Sequence, residues 1–166
     1  MPLENPVEAA VQATKLLAHF RENHLPAVFI QHVSVNPEAT SFRPGTPGVS
    51  LYASIKTLPA ERIVHKHHPN SFRDTNLLEL LRAEEVSRLV ICGMMTHMCI
   101  DATTRAACDY GFTCIVAADA CATRDLALAG ETVPAATVQR AFLAALNGTY
   151  GRVMNTDKIV QLIQTT

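Results

Sequence analysis

The sequence predicts an α/β protein of three layers, with helices on both faces of a mainly parallel, Rossmann-like central sheet. Three observations carry this reading. Short apolar runs at 27–33, 62–66, 88–93, 112–119 and 151–155 alternate with segments of helical period. The run "RLVICG" (88–93) has no polar alternation, as a strand covered on both faces requires. No repeat, low-complexity tract or charge block divides the 166 residues, so they read as one domain with a sizeable core.

The elements follow in order. Asn5 is placed to cap a helix with Pro6 at its first position and Glu8 returning the bond. Val7, Ala10, Val11, Thr14, Leu17 and Ala18 would form its buried face. "AVFIQHV" (27–33) is a β-rich run, and 36–60, with four prolines and two glycines, is a long irregular loop able to act as a lid. "RIVHK" (62–66) is the next strand and "TNLLELLRAEEV" (75–86) the next helix. After 88–93 a helix spans about 98–110, with Ile100, Thr103, Thr104 and Ala107 at helical spacing. A strand at 112–119, a helix at 132–146, a short strand at 151–155 and a helix at 157–164 complete the chain. Sites in such folds gather beyond the carboxyl ends of the strands.

Composition removes several function classes. A formal charge of −1 gives no electrostatic pull toward nucleic acid or an anionic membrane. No apolar stretch approaches the roughly 18–20 residues that span a bilayer. "MPLENPVEAAVQ" lacks the basic region and apolar core of a signal peptide. The five cysteines (92, 99, 108, 114, 121) are odd in number and form no CxxC pair, which fits reduced thiols in a cytoplasmic protein. Free cysteines commonly behave as small buried hydrophobes, and that reading suits Cys92, Cys108 and Cys114.

Cys99 is different in position. It follows a strand near the first turn of a helix, where unpaired N–H groups and the helix dipole favour the thiolate. The same amides could hold a developing oxyanion. Position alone leaves two readings open, nucleophile or packed thiol. "CIDATTR" also has the Cys-x5-Arg spacing of a phosphate-cradling loop, but Asp101 would put a carboxylate inside it, and the segment lacks glycine and looks helical.

"HKHH" (65–68) suggests a metal, yet strand alternation sends His65 and His67 to one side and Lys66 and His68 to the other, and no further ligand stands nearby. No metal is expected. Lys66 ends its strand at the edge where sites form; it would lower the pKa of a nearby thiol, or else snorkel outward. No GxGxxG occurs, so a dinucleotide site has no support. Asp119 ends a strand and could cap "ACATRD" or orient a site loop.

Together, "VICGMMTHMCIDATTRAACDYGF…VAADACATRD" and the upstream "VHKHHPNSF" resemble the isochorismatase-like cysteine hydrolase family over essentially the whole chain. Gly-x-x-Thr-x-x-Cys is the most specific part, and Lys66 with Ser71 and Phe72 is the second anchor. The resemblance implies a parallel-sheet α/β fold and hydrolysis of a non-peptide C–N bond in a small amide, urea or carbamoyl compound. It makes Cys99 the nucleophile and Lys66 the catalytic lysine, with an oxyanion hole from the N–H groups of Met95 and Cys99. A cis peptide between Met94 and Met95 is implied too. Members acting on a vinyl ether lack the cysteine, so its presence points to the amidase branch. Substrate contacts are expected from His32, Tyr52, His67, Phe72, Thr96 and His97. The partners expected are a small-molecule substrate and further copies of the chain in a homo-oligomer, with no cofactor.

Two departures stand out. Nicotinamidases of the family carry an Asp/His metal motif after the strand matching 27–33; "QHVSVNPEATSF" lacks it. The family also opens with a central strand ending in an aspartate, usually Asp-x-Gln, that serves as the proton-transfer base. No Asp-x-Gln occurs here, and the expectation is a domain over 1–166 truncated at its amino end, Met1 being internal to a longer chain. An unfilled central slot would leave backbone donors and acceptors unpaired. Two functions are then in play: a small-amide cysteine hydrolase, or a non-catalytic member that binds a small molecule or protein.

Overall fold

The computed structural model describes residues 2–164, and its helices and strands alternate as predicted. Helix α1 (Pro6–Glu22) starts at Pro6, but Asn5 lies in the left-handed region (φ 51°) and makes no side-chain cap bond. The buried face is also rotated from the expected one. Val7 and Val11 are 57% and 59% exposed, while Ala9, Ala10, Leu16 and His19 are buried. The small alanines let the helix lie close along the strand beneath it.

Strands β1 (Val28–His32) and β2 (Arg62–Lys66) pair in parallel, with Val28 opposite Arg62 and His32 opposite Lys66. The connection between them, 33–61, is irregular except for a 3-10 turn at Pro47–Val49. Helix α2 (Leu77–Ala83) leads to β3 (Arg88–Met94). A π-helical turn (Thr96–Ile100) then runs into α3 (Asp101–Asp109), where the sequence suggested one helix. Strand β4 (Thr113–Ala122) is longer than expected, and a hairpin of β5 (Leu126–Leu128) and β6 (Glu131–Val133) follows it. Helix α4 (Ala135–Leu146) starts only after Pro134, and Asp125 Oδ1 accepts the Ala135 N–H at 2.8 Å. Strand β7 (Arg152–Met154) and helix α5 (Thr156–Gln164) end the fold.

The three layers are visible in β4. Cys114 and Val116 face α2, α3 and α4; Ile115 and Ala117 face α1 and α5. Leu146, Ile159 and Val116 are fully buried, each contributing about 1.5–3 kcal/mol by removal from water. The order β3-β4-β7 is parallel throughout. Gly151 sets its closest approach, since a Cβ there would stand 2.7 Å from the Cys114 carbonyl oxygen.

Strand pairing among the described residues falls into separate ladders. Among the described residues β1 pairs with β2 alone and β3 with β4 alone, so the central parallel strands form two ladders. Both rest on one layer: Val28 and Ile30 of β1 and Leu89 and Ile91 of β3 pack on the cluster of Phe72, Leu77, Leu81, Ala107 and Phe112. Among the described residues no helix is long and apolar enough to cross a membrane.

Candidate active site

The carboxyl end of β3 becomes the Cys99 turn through a short run of unusual backbone and buried side chains. Gly93 has φ +129°, a conformation closed to L side chains, and the pairing of β3 with β4 shifts register there. The Met94–Met95 peptide is cis, as the resemblance implies. Thr96 is fully buried and donates its hydroxyl to the Ala122 carbonyl at 3.2 Å. His97 hydrogen-bonds through Nδ1 to Thr123 Oγ1 and meets Phe142 edge-on, ring centres 6.0 Å apart. Consecutive residues therefore pin the turn to the end of β4. Burial, then the positive charge of Arg124, holds the His97 imidazole below its usual pKa. The N–H groups of Met98 and Ile100 converge on the Met95 carbonyl at 3.1 and 3.3 Å, and Cys99 between them is a part-exposed free thiol.

Lys66 does not snorkel. It is 3% exposed, while His65 and His67 on the opposite side of the strand are exposed, as alternation requires. Its ammonium donates to the Pro69 carbonyl at 2.6 Å. Among the described residues no carboxylate forms an ion pair with it. The same carbonyl lies 3.4 Å from the hydroxyl of Thr103, four residues beyond Cys99 on the helix that continues the turn. Ser71 completes the contact, its N–H donating to Thr103 Oγ1 at 3.1 Å and its Oγ accepting from it at 2.9 Å. Residues four apart share a helix face, so Lys66 is linked through the Pro69 carbonyl to the face that Thr103 shares with Cys99. Thr103 was visible in the sequence only as a helical-spacing residue; a polar side chain one turn from the thiol was the available signal.

The other expected contacts divide. His32, half-buried opposite Lys66, tilts against Phe42 with ring centres 4.9 Å apart. Burial and then the charge of Lys66 lower its pKa. His67 is exposed and bonds the Val33 carbonyl through Nδ1 at 2.7 Å. Tyr52 is exposed on the long loop. Phe72, by contrast, is a core residue, 6% exposed, stacked on Phe112 and edge-on to Tyr110. Thr96 likewise serves the turn's interior, being inaccessible to a substrate. A separate cavity of about 810 Å³ between the start of α1 and α4 is lined by Glu8, Asp119, Thr123 and Gln139, and by neither Cys99 nor Lys66.

Desolvation raises the pKa of Cys92 and Cys114 to about 11 and pushes Cys121 higher still; Cys114 and Cys121 are buried, while Cys92 keeps a part-exposed surface and its sulfur is the desolvated part. Cys108, expected in the core, is only half-buried, with its Sγ 3.8 Å from the Thr149 carbonyl. The Cys-x5-Arg segment is helical rather than a phosphate loop. Arg105 grips Asp101 through Nε and Nη2 at 2.9–3.0 Å and lies 4.3 Å over the Tyr150 ring. Asp119 caps neither "ACATRD" nor a site loop; its Oδ1 accepts the N–H and hydroxyl of Thr156 at 2.8 and 2.9 Å and so opens α5. Among the described residues no group of three His, Cys, Asp or Glu side chains is arranged to hold a metal ion.

Fold and site together define an α/β protein in which a buried lysine ends one parallel strand and a part-exposed thiol stands in the turn after another. The chain belongs to the isochorismatase family: the family's isochorismatase domain matches residues 4–158. It is 46% identical over 161 residues to the uncharacterized isochorismatase family protein YddQ of Bacillus subtilis, covering 97% of this chain and 89% of that one. A solved structure from Oleispira antarctica, assigned to the isochorismatase hydrolases, superposes with a TM-score of 0.92 at 48% identity, covering 96% of this chain and 84% of that one. Streptothricin hydrolase of Streptomyces noursei is 40% identical over 101 residues, 59% of this chain and 37% of that protein.

Proposed function

We propose that this isochorismatase-family hydrolase is a cysteine hydrolase that cleaves a non-peptide C–N bond in a small amide, urea or carbamoyl compound. The observation that carries the reading is the Lys66 ammonium, buried and linked through the Pro69 carbonyl to the helix face that Thr103 shares with Cys99. A buried cation without a carboxylate partner favours an anion beside it, and a thiolate at Cys99 supplies one. That thiolate attacks the substrate carbonyl carbon, forming an S–C bond and an oxyanion. The N–H groups of Met95 and Cys99 are the donors assigned to that oxyanion. Collapse breaks the C–N bond, and the leaving nitrogen takes a proton from solvent water to depart as ammonia or an amine. Water then hydrolyses the thioester and releases the thiol. The similarity to streptothricin hydrolase supports hydrolytic chemistry without naming this chain's substrate.

A second reading has its own support, because among the described residues no carboxylate bonds to Lys66 or Cys99 to act as base. In that case the same site binds a small ligand without turning it over. Ammonia release from a panel of amides, ureas and carbamoyl compounds, measured for the protein and its Cys99→Ala variant, separates the two. Turnover lost in the variant is the expected result. Turnover that survives removal of the sulfur refutes the nucleophile, and binding without turnover by the intact protein selects the second reading.

A further inference from the structure

We infer that Thr103 is a positioning residue, which fixes the Lys66 ammonium relative to Cys99 through the Pro69 carbonyl; the inference rests on the reading of Cys99 as nucleophile. Thr103 is 8% exposed, a hydroxyl inside the protein on α3. It accepts the Ser71 N–H at 3.1 Å, and its single proton faces two acceptors, Ser71 Oγ at 2.9 Å and the Pro69 carbonyl at 3.4 Å. That carbonyl has a second lone pair, occupied by the Lys66 ammonium at 2.6 Å. The turn 69–71 is thus clasped between the lysine of β2 and the threonine of α3.

The turn has internal bonds of its own. Asn70 Oδ1 accepts the Phe72 N–H at 2.9 Å, and Thr75 Oγ1 donates to the Ser71 carbonyl at 2.6 Å. What Thr103 adds is the docking of this preformed turn onto the helix of Cys99. Docking matters because Lys66 and Cys99 follow different strands. Lys66 ends β2 and the Cys99 turn follows β3, and the turn 69–71 bonds to both the lysine and α3. Lysine has a flexible stem and a compact ammonium, so the bond at its tip decides where the charge sits. A displaced Pro69 carbonyl would take the ammonium with it.

The test uses iodoacetamide as the probe and needs no substrate. Alkylation of Cys99 is followed by peptide mass spectrometry at neutral pH in the intact protein, with circular dichroism to confirm folding. The set is the parent protein, Lys66→Ala, Thr103→Val, Thr103→Ser, and the Thr103→Val/Lys66→Ala double variant. Valine should slow Cys99 by about fivefold toward the Lys66→Ala rate, and serine should keep it within about twofold of the parent. The double variant should react no more slowly than Lys66→Ala alone. A parental rate in Thr103→Val overturns the inference, as does an equal slowing when Lys66 is already absent. Should the valine variant fail to fold, Thr103→Ala replaces it, and equal rates for alanine and serine overturn the inference. Failure of the underlying reading shows separately, in the parent protein, as a Cys99 no faster than Cys108.

Discussion

Arg21 on α1 grips Glu61, the residue before β2, through two parallel bonds, Nε to Oε1 at 2.8 Å and Nη2 to Oε2 at 2.7 Å. The same arginine donates to the Lys56 carbonyl, and Glu61 Oε2 also accepts the Leu58 N–H at 2.7 Å. This cluster fastens the far end of the loop 33–61. Arg21 holds the Glu61 carboxyl below its usual pKa, mainly by hydrogen bonding. A carboxylate depressed in the folded state stabilises it above its unfolded pKa, and that contribution is lost as pH falls through the folded value. Cleavage of the loop by an acid-tolerant protease should therefore accelerate below about pH 4.5. Glu61→Gln should show the same acceleration at neutral pH; unchanged cleavage in both cases would refute the fastening.

Thiol reactivity should rank by ease of ionisation. With pKa values near 11, Cys92 and Cys114 are ionised in only about one molecule in a thousand at pH 8. Iodoacetamide should label Cys99 at least about tenfold faster than either, read by peptide mass spectrometry. Equal rates would remove the basis for Cys99 as nucleophile.

Lys66→Met should separate reactivity from stability. The ammonium is buried with a neutral carbonyl as its acceptor and no carboxylate partner among the described residues, so replacing it removes a desolvation cost. Stability should be unchanged or rise by about 1 kcal/mol, while Cys99 alkylation slows. A melting temperature lowered by several degrees would identify Lys66 as a structural cation instead.

Gly151→Ala tests the close approach of the chain to β4. The added Cβ meets backbone at 2.7 Å, and backbone cannot swing aside as a flexible side chain can. The expected cost is about 1–3 kcal/mol in denaturant unfolding. A loss below about 0.5 kcal/mol would show that the segment relaxes freely.

Much of the fold was legible because periodicity reports burial. The run at 88–93 and the alternation in "RIVHK" placed β3 and β2, and alternation alone put Lys66 and His65 on opposite sides. Burial on the Lys66 side was not legible, since the Pro69 carbonyl and Thr103 that receive it are brought by tertiary structure. The first helix was rotated for the same kind of reason: Val7 and Val11 are apolar enough to be core, but Ala9 and Ala10 allow the closer approach. Phe72 and Thr96 sit in motifs that suggest a site, and the structure uses both for packing. Asp119 served a helix more than thirty residues ahead, beyond the reach of any local capping rule.

The turn 69–71 gives the strand that ends in Lys66 and the helix that follows Cys99 a common anchor. It takes a bond from the lysine tip on one side and exchanges two with Thr103 on the other, so strand end, turn and helix share one point of attachment. A conservative change at residue 103 is consequently a way to tune the spacing of the two groups while leaving both side chains in place.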